Sequence, residues 1–480
     1  MRLNPARRHR FLVAGMLVWA AGYLFFYPPT TAVVDEHAYL TQSYLFRSGH
    51  LSYDGSPVPV AHQSVDCRAA GGHVVSKYPP GNGLWLLPFT LPGWRWVFVS
   101  GLVLAMAGTL LLAAILSRLR PEADPSWALL FLCYPAVTVF SRTVMSDIPA
   151  TVAVLAAFYL LLLGRGFLVG SGALLGLACL FRYPMLVFLL PFALILLWQQ
   201  RQSSSWVPGR RGRKPGSGLM LLLAGFIPFA LLILAYNNYA YGSPLRVPLS
   251  AGDRFSPAYL GRNLLYYGIN LTIWYPLLII GPVAAGRGHR IRLVLPALAL
   301  LLLYGCFSYI HQESLAERLV LGMRYLLPAL PFFVVGYAIA AERLLSLTGI
   351  SRVLVRAVLG LLIVGALGLQ WRHQRFLQIQ ARYQELLYAA LPEDAILIGD
   401  KEVSEMINVA WGWRDNRYYG WLNPDTLPPD RPLFAAALMK PGRVHPEAMA
   451  ELDSLLQKFP GRTLVLNSDR PYRFWLYRLR

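Results

Sequence analysis

Apolar residues in this chain gather in long, nearly unbroken runs, not in the alternating or 3.6-residue patches of a water-soluble core. A helix needs about 20 apolar residues to cross a ~30 Å hydrocarbon layer. Eleven stretches approach that length: 11–27, 95–117, 126–142, 148–164, 167–181, 184–199, 218–236, 264–284, 291–308, 325–341 and 352–370. The stretch GLWLLPFTLPGW, after Asn82, is apolar but too short to cross and predicts an interfacial or re-entrant segment. The pattern changes after Gln370. RFLQIQARYQELLYAAL has helical periodicity, AILIG (395–399) and TLVLN (463–467) read as short buried strands, and PEAMAELDSLLQKF (446–459) reads as an amphipathic helix. The predicted architecture is an all-α polytopic membrane domain over 1–370, with a first external loop at 28–83. A small α/β domain follows over 371–480.

Composition supports that reading. Of 480 residues, 56% are hydrophobic and only 14% charged, and the mean hydropathy is +0.45. A soluble protein of this length carries far more charge. The net charge of +20 would otherwise suggest nucleic acid. Here the arginines cluster in loops that alternate between spans, so the charge belongs to a cytoplasmic face and to anionic lipid. The N-terminal tail, SRLRPEADPS, the loop after Trp198 and GRGHRIR carry these residues. All four fall on one side if eleven spans alternate. The chain then reads as a multi-pass protein of the cell (inner) membrane, with the N-terminus cytoplasmic and 371–480 extracytoplasmic. The N-terminal apolar run has no small-residue cleavage site and reads as a retained span. Four cysteines, three of them in apolar runs, imply no disulfide framework.

The candidate chemistry lies at span boundaries. The first external loop opens VVDEHAYL, with Asp35 and Glu36 adjacent, and closes KYPPGNG, with Lys77 held by two prolines and two glycines. SRTVMSDIPA places Arg142 and Asp147 in a short external turn. Arg182 ends a span before Tyr183 and Pro184, and Arg324 and Tyr325 open the span GMRYLLPALPFF. Cations at span ends also snorkel, tyrosines also belong to interfacial belts, and Asp147 also fits an N-cap. The acidic pair has no such general explanation, because external loops show no preference for acids. The set His37, Asp54, His62, Asp66 and His73 lacks tight metal-ligand spacing.

The order of these segments (DEHAYL after a first span, KYPPG closing the loop, the SD turn, the RYLLPALPFF span) resembles the GT-C superfamily of membrane glycosyltransferases. More narrowly it resembles the group of protein O-mannosyltransferases and lipid A aminoarabinose transferase, over about residues 10–345. The resemblance implies a polyprenyl-phosphate-linked sugar donor and transfer on the outer face of the membrane. It implies Asp35 as general base followed by Glu36, Asp147 as a second acid, and Lys77 and Tyr325 at the donor phosphate. One departure is plain. The aminoarabinose branch carries an arginine three residues after the first acid, and Ala38 stands there, so Arg142, Arg182 or Arg324 would have to supply that cation.

The chemistry fits such residues. Displacing a phosphate at an anomeric carbon needs cations around the leaving group and a base for the acceptor hydroxyl. In-line attack by a carboxylate-activated hydroxyl would invert the configuration. The second acid could orient the acceptor, hold sugar hydroxyls or bind a divalent cation, while no other cofactor is implied. The expected partners are the lipid-linked donor, a glycan, lipid or protein acceptor, and membrane lipid. A transporter or flippase of lipid-linked sugars is the alternative. It predicts paired repeats and mid-span charges, and the sequence offers neither. A non-catalytic scaffold would not need the acidic pair.

Overall fold

The computed structural model describes residues 5–52, 66–68, 73–204, 216–248, 254–308, 319–320, 322–348, 351–392, 394–399, 403, 417–419, 429–439, 446–469 and 472–480. Asp54 and His62 lie outside the described residues. The chain is a helical bundle carrying a small sheet at its C-terminal end. Its helices in chain order are α1 (Pro5–Phe25), α2 (Val34–Arg47), α3 (Gly81–Thr90), α4 (Val99–Leu119), α5 (Pro135–Phe140), α6 (Asp147–Leu163), α7 (Leu168–Phe181), α8 (Leu189–Ser204), α9 (Ser217–Tyr241), α10 (Leu260–Trp274), α11 (Arg287–Gly305), α12 (Leu330–Thr348), α13 (Arg352–Ala390) and α14 (Pro446–Gln457).

Five helical segments among the described residues are long and apolar enough to cross a membrane, and a sixth span results if one sharply bent pair counts as one. This is a multi-pass membrane protein, but the eleven continuous spans expected from the sequence are not all present as such. His9–Phe25, Asp147–Leu163, Arg165–Phe181 and Tyr183–Gln199 are shorter apolar helices. The expected span 126–142 is broken, because the chain is helical over Leu129–Leu132 and again in α5. Pro135 explains the break, since it forces Tyr134 into an extended conformation and starts a new helix at its first position. The expected span 264–284 bends by 109° between α10 and Leu278–Ala284. Tyr275 is extended before Pro276, and Leu277 adopts a left-handed conformation with φ of 66°.

Packing follows small residues. A Cβ on Gly172 would overlap the Leu222 carbonyl oxygen, and one on Gly225 would overlap that of Val169. These glycines let α7 and α9 approach backbone to backbone, as membrane helices do where small residues line the seam. Gly101 does the same under the turn at Ser141, where any side chain would strike that carbonyl.

The segment expected to be the first external loop is more ordered than a loop. Val34–Arg47 forms α2, and Asp66–Arg68 (β1) pairs antiparallel with Val74–Ser76 (β2). At the other end, α13 runs without a break through Gln370 to Ala390, because no proline or glycine interrupts it after Gly368. The sheet therefore begins beyond a helix that rises from the bundle. It comprises β3 (Ile396–Gly399), β4 (Arg417–Tyr419), β5 (Leu433–Met439), β6 (Thr463–Ser468) and β7 (Arg473–Arg478) in the order β4-β3-β5-β7-β6. β3 is parallel to β4 and β5, and β7 is antiparallel to β5 and β6. AILIG forms a buried strand and PEAMAELDSLLQ a helix as predicted, whereas TLVLN forms a strand but not a buried one: β6 lies at the sheet edge, with Leu464 and Val465 exposed. β5 was hidden by the three alanines of LFAAALM, which favour helix locally.

Candidate active site

Asp35 and Glu36 sit in the first turn of α2, where the helix N-terminus favours acids. They face different surroundings. Glu36 is fully buried. One carboxylate oxygen accepts from the Ala32 and Val33 N–H groups at 2.6 and 3.1 Å, and the other accepts from the Val144 N–H at 2.9 Å. Burial pushes the Glu36 carboxyl up to about 7, against the opposing pull of these three N–H groups. This side chain fastens the start of α2 to the 141–147 turn. Asp35 keeps 21% of its side chain exposed and faces Arg324, whose guanidinium lies 3.5 Å away.

Arg324 comes from a 3-10 turn, Gly322–Ala329, that leads into α12. It donates to the Tyr325 hydroxyl at 2.9 Å, and its guanidinium lies 4.8 Å from the centre of the Tyr325 ring. Arg182 lies over the same ring at 5.6 Å. It ends α7 in an extended conformation and caps the 3-10 turn Tyr183–Phe188 that follows. Arg182 pairs with Asp147, a fully buried carboxylate at the start of α6. Asp147 is thus the first helical residue and an ion-pair partner, while Ser146 occupies the N-cap position. The second Asp147 oxygen is buried without a hydrogen-bond partner among the described residues.

Tyrosines complete the cluster. Tyr304 packs on Tyr325 at 5.1 Å between ring centres. Tyr39, one helical turn beyond Asp35, pairs its hydroxyl with that of Ser146 at 2.8 Å and stacks on Tyr78 at 4.7 Å. Burial, and secondarily the nearby Asp35 carboxylate, hold the Tyr78 phenol well above its ordinary range, so it is a neutral hydrogen-bond donor. The Lys77 ammonium lies over the Tyr78 ring at 5.3 Å. None of these three tyrosines stood out in the sequence. The only signals were the four-residue offset of Tyr39 from Asp35 and the place of Tyr78 inside KYPPG.

The fold thus gathers Asp35, Lys77, Asp147, Arg182, Arg324 and Tyr325 around one aromatic cluster. Arg142 is the exception. Its side chain is buried under Tyr23 at 5.4 Å and donates to the Phe26 carbonyl, to His373 Nδ1 at 3.3 Å and to Gln374 Oε1 at 2.8 Å. It locks α1 to α13 behind the site. The cation beside Asp35 is Arg324, and Ala38 is fully buried. Among the described residues, no three His, Cys, Asp or Glu side chains are grouped to hold a metal ion.

Solved structures share this architecture. ArnT from Cupriavidus metallidurans in the apo state superposes with a TM-score of 0.58 at 13% identity, over 98% of this chain and 97% of that one. The same protein bound to undecaprenyl phosphate gives 0.56 at 14% identity, with the same coverage. The chain has the GT-C fold. The mycobacterial arabinofuranosyltransferase AftD matches with a TM-score of 0.51 at 13% identity, over 98% of this chain but 40% of that one. No family model and no curated protein matches at the level of sequence. At such identities the likeness is one of fold alone.

Proposed function

We propose that this chain is an integral membrane glycosyltransferase that moves a sugar from a polyprenyl-phosphate donor to an acceptor hydroxyl on the outer face of the membrane, with inversion. The observation that carries the reading is the cluster itself. One partly exposed carboxylate stands beside Arg324, Arg182, Lys77 and Tyr325, drawn from four distant parts of a GT-C bundle. The undecaprenyl phosphate bound in the ArnT structure supports the donor class.

In this reading the donor phosphate is held by Arg324, Lys77 and the Tyr325 hydroxyl, with Arg182 adding positive charge from behind the Tyr325 ring. Charge grows on the phosphate as the anomeric bond breaks, and fixed cations lower that barrier because they need no reorganisation. Arg324 already divides its donors between Asp35 and Tyr325. An arriving phosphate competes for this guanidinium and releases Asp35 to face the acceptor. Asp35 then accepts the hydroxyl proton as oxygen attacks the face opposite the phosphate. Asp147 is a weaker choice of base, because Arg182 occupies one of its oxygens and burial separates it from acceptor. Its role in this reading is to hold Arg182 in place over the Tyr325 ring. Glu36 positions α2 and does not meet substrate.

The site belongs on the outer face if the basic loops are cytoplasmic. Single cysteines at Ser204 and Ser454, probed with an impermeant thiol reagent on intact cells, test this. Labelling of Ser454→Cys alone is expected, and labelling of Ser204→Cys alone overturns the orientation. The reaction itself is tested by mass spectrometry of envelope glycans and glycoproteins from cells with and without the gene. Loss of one sugar from one acceptor is expected, with the lipid-linked donor accumulating on the outer leaflet, and the same loss with donor accumulating on the inner leaflet would favour a flippase.

A further inference from the structure

A second feature lies at the opposite end of the bundle. An apolar groove of about 270 Å³ opens between the bend after α10 and the first turns of α13. Trp127, Trp274 and Tyr337 form its wall, and Val355, Val358 and Leu359 form its side. The groove exists because the chain breaks at Pro276. The chain bends by 109° there, and Trp274, Tyr275 and Pro276 at the bend line the groove. Leu354 and Val358 remain 58% and 49% exposed at its mouth. These residues sit on a spanning helix, so the groove faces hydrocarbon and not water.

The chain segments next to its lining residues are strongly basic. Segments 118–124, 287–292 and 342–356 carry eight arginines against three carboxylates. Two of those carboxylates are buried and already engaged. Asp124 accepts from Arg356 at 2.9 Å, and Glu342 accepts from the Trp127 indole at 2.9 Å and the Asp124 N–H at 3.1 Å. Glu342 reaches Arg352 only at 3.4 Å, and the Arg352 side chain keeps 37% exposure. Arg352 is also the first residue of the 39-residue helix α13, where the helix dipole adds positive potential. Two residues before Leu354 and three before Val355, which line the groove, there is thus a partly exposed guanidinium with one long contact to Glu342 in a field of excess positive charge.

We infer that this groove binds one anionic phospholipid of the leaflet away from the active site, with an acyl chain against Trp127, Trp274 and Val358 and its phosphate on Arg352. The proposal is independent of the sugar-transfer reading, since it concerns the other leaflet. Charge complementarity selects an anionic headgroup, and the groove's length along α13 selects a chain running parallel to the helices.

The test uses the full-length protein, purified in mild detergent and exchanged into mixed phosphatidylglycerol–phosphatidylethanolamine micelles. Native mass spectrometry counts the phospholipid that survives activation. The wild-type protein should retain about one phosphatidylglycerol in clear preference to phosphatidylethanolamine. Arg352→Gln should lose that preference, with retention roughly tenfold weaker, the scale of one charge-assisted contact. Val358→Trp, which fills the groove, should lose retention while keeping the elution volume and sugar-transfer activity of the wild type. Equal retention of both phospholipids by the wild type would make the lipid annular and overturn the proposal. So would unchanged retention in Arg352→Gln. If Val358→Trp misfolds, Arg352→Gln decides together with Arg352→Lys, which keeps a positive charge beside the buried Glu342 and should keep the preference; loss of the preference in both would overturn the role of the charge.

Discussion

Asp35→Asn separates chemistry from architecture more cleanly than any other single change. The substitution keeps shape and volume but removes the ability to take a proton. Its structural cost follows from the surroundings of Asp35. The carboxylate is 21% exposed, its partner Arg324 is 20% exposed, and the two are 3.5 Å apart. A partly solvated pair with so long a contact contributes at most about 1 kcal/mol, and Arg324 keeps its hydrogen bond to Tyr325 when the pair is lost. The chemical cost is larger. Losing a general base lowers turnover by roughly 10²–10⁴-fold, or about 3–5 kcal/mol of barrier. The expected result is therefore a protein that expresses, elutes and melts like the wild type, binds donor normally or slightly more tightly, and turns over at least a hundredfold more slowly. A radiolabelled polyprenyl-phosphate sugar with a cell-envelope extract as acceptor measures turnover, and donor binding is measured on the same preparation. Near-normal turnover in Asp35→Asn together with an inactive Asp147→Asn would refute the assignment and move the base to Asp147.

Three further outcomes follow from the same geometry. Arg182→Gln leaves Asp147 buried and unpaired, which should destabilise the fold by about 3–5 kcal/mol; the double change with Asp147→Asn should recover much of the lost melting temperature, and no recovery would mean that Arg182 supports something else. Lys77→Ala and Tyr325→Phe should each weaken donor binding more than they lower the melting temperature, by about 1.5–3 kcal/mol for the charged contact, and unchanged affinity in both would remove them from the phosphate site. Glu36 gives a pH signature: its folded value of about 7 lies above the ordinary carboxyl value, so its contribution to stability is complete below about pH 4.3 and fades as pH rises through 7. Thermal melts of wild type and Glu36→Gln should therefore converge between pH 5 and 8, and a constant difference across that range would show that Glu36 does not titrate there.

Much of this protein was legible in its sequence because hydrophobic length is a local property. Runs such as 95–117, 218–236 and 352–370 must be buried in lipid or protein wherever they go, and the helices formed there. The buried strand at 395–399 was legible for the same reason, whereas 463–467 forms a strand by its β-branched and alternating residues and lies exposed at the sheet edge. What the sequence could not fix was decided by contacts between distant segments. Pro135 and Pro276 are visible as letters, but whether a proline kinks a span or divides it depends on what packs around it. Arg142, Arg182 and Arg324 look alike as cations at span ends. Only the packing of α1, α7 and the Gly322–Ala329 turn sends Arg142 inward to Phe26 and Gln374, Arg182 to Asp147 and Arg324 to Asp35. Asp35 and Glu36 are neighbours in the chain with opposite fates, because successive residues on a helix point about 100° apart. One therefore faces the turn at Val144 and is consumed by three N–H groups, and the other faces the open side of the cluster with its carboxylate available for chemistry.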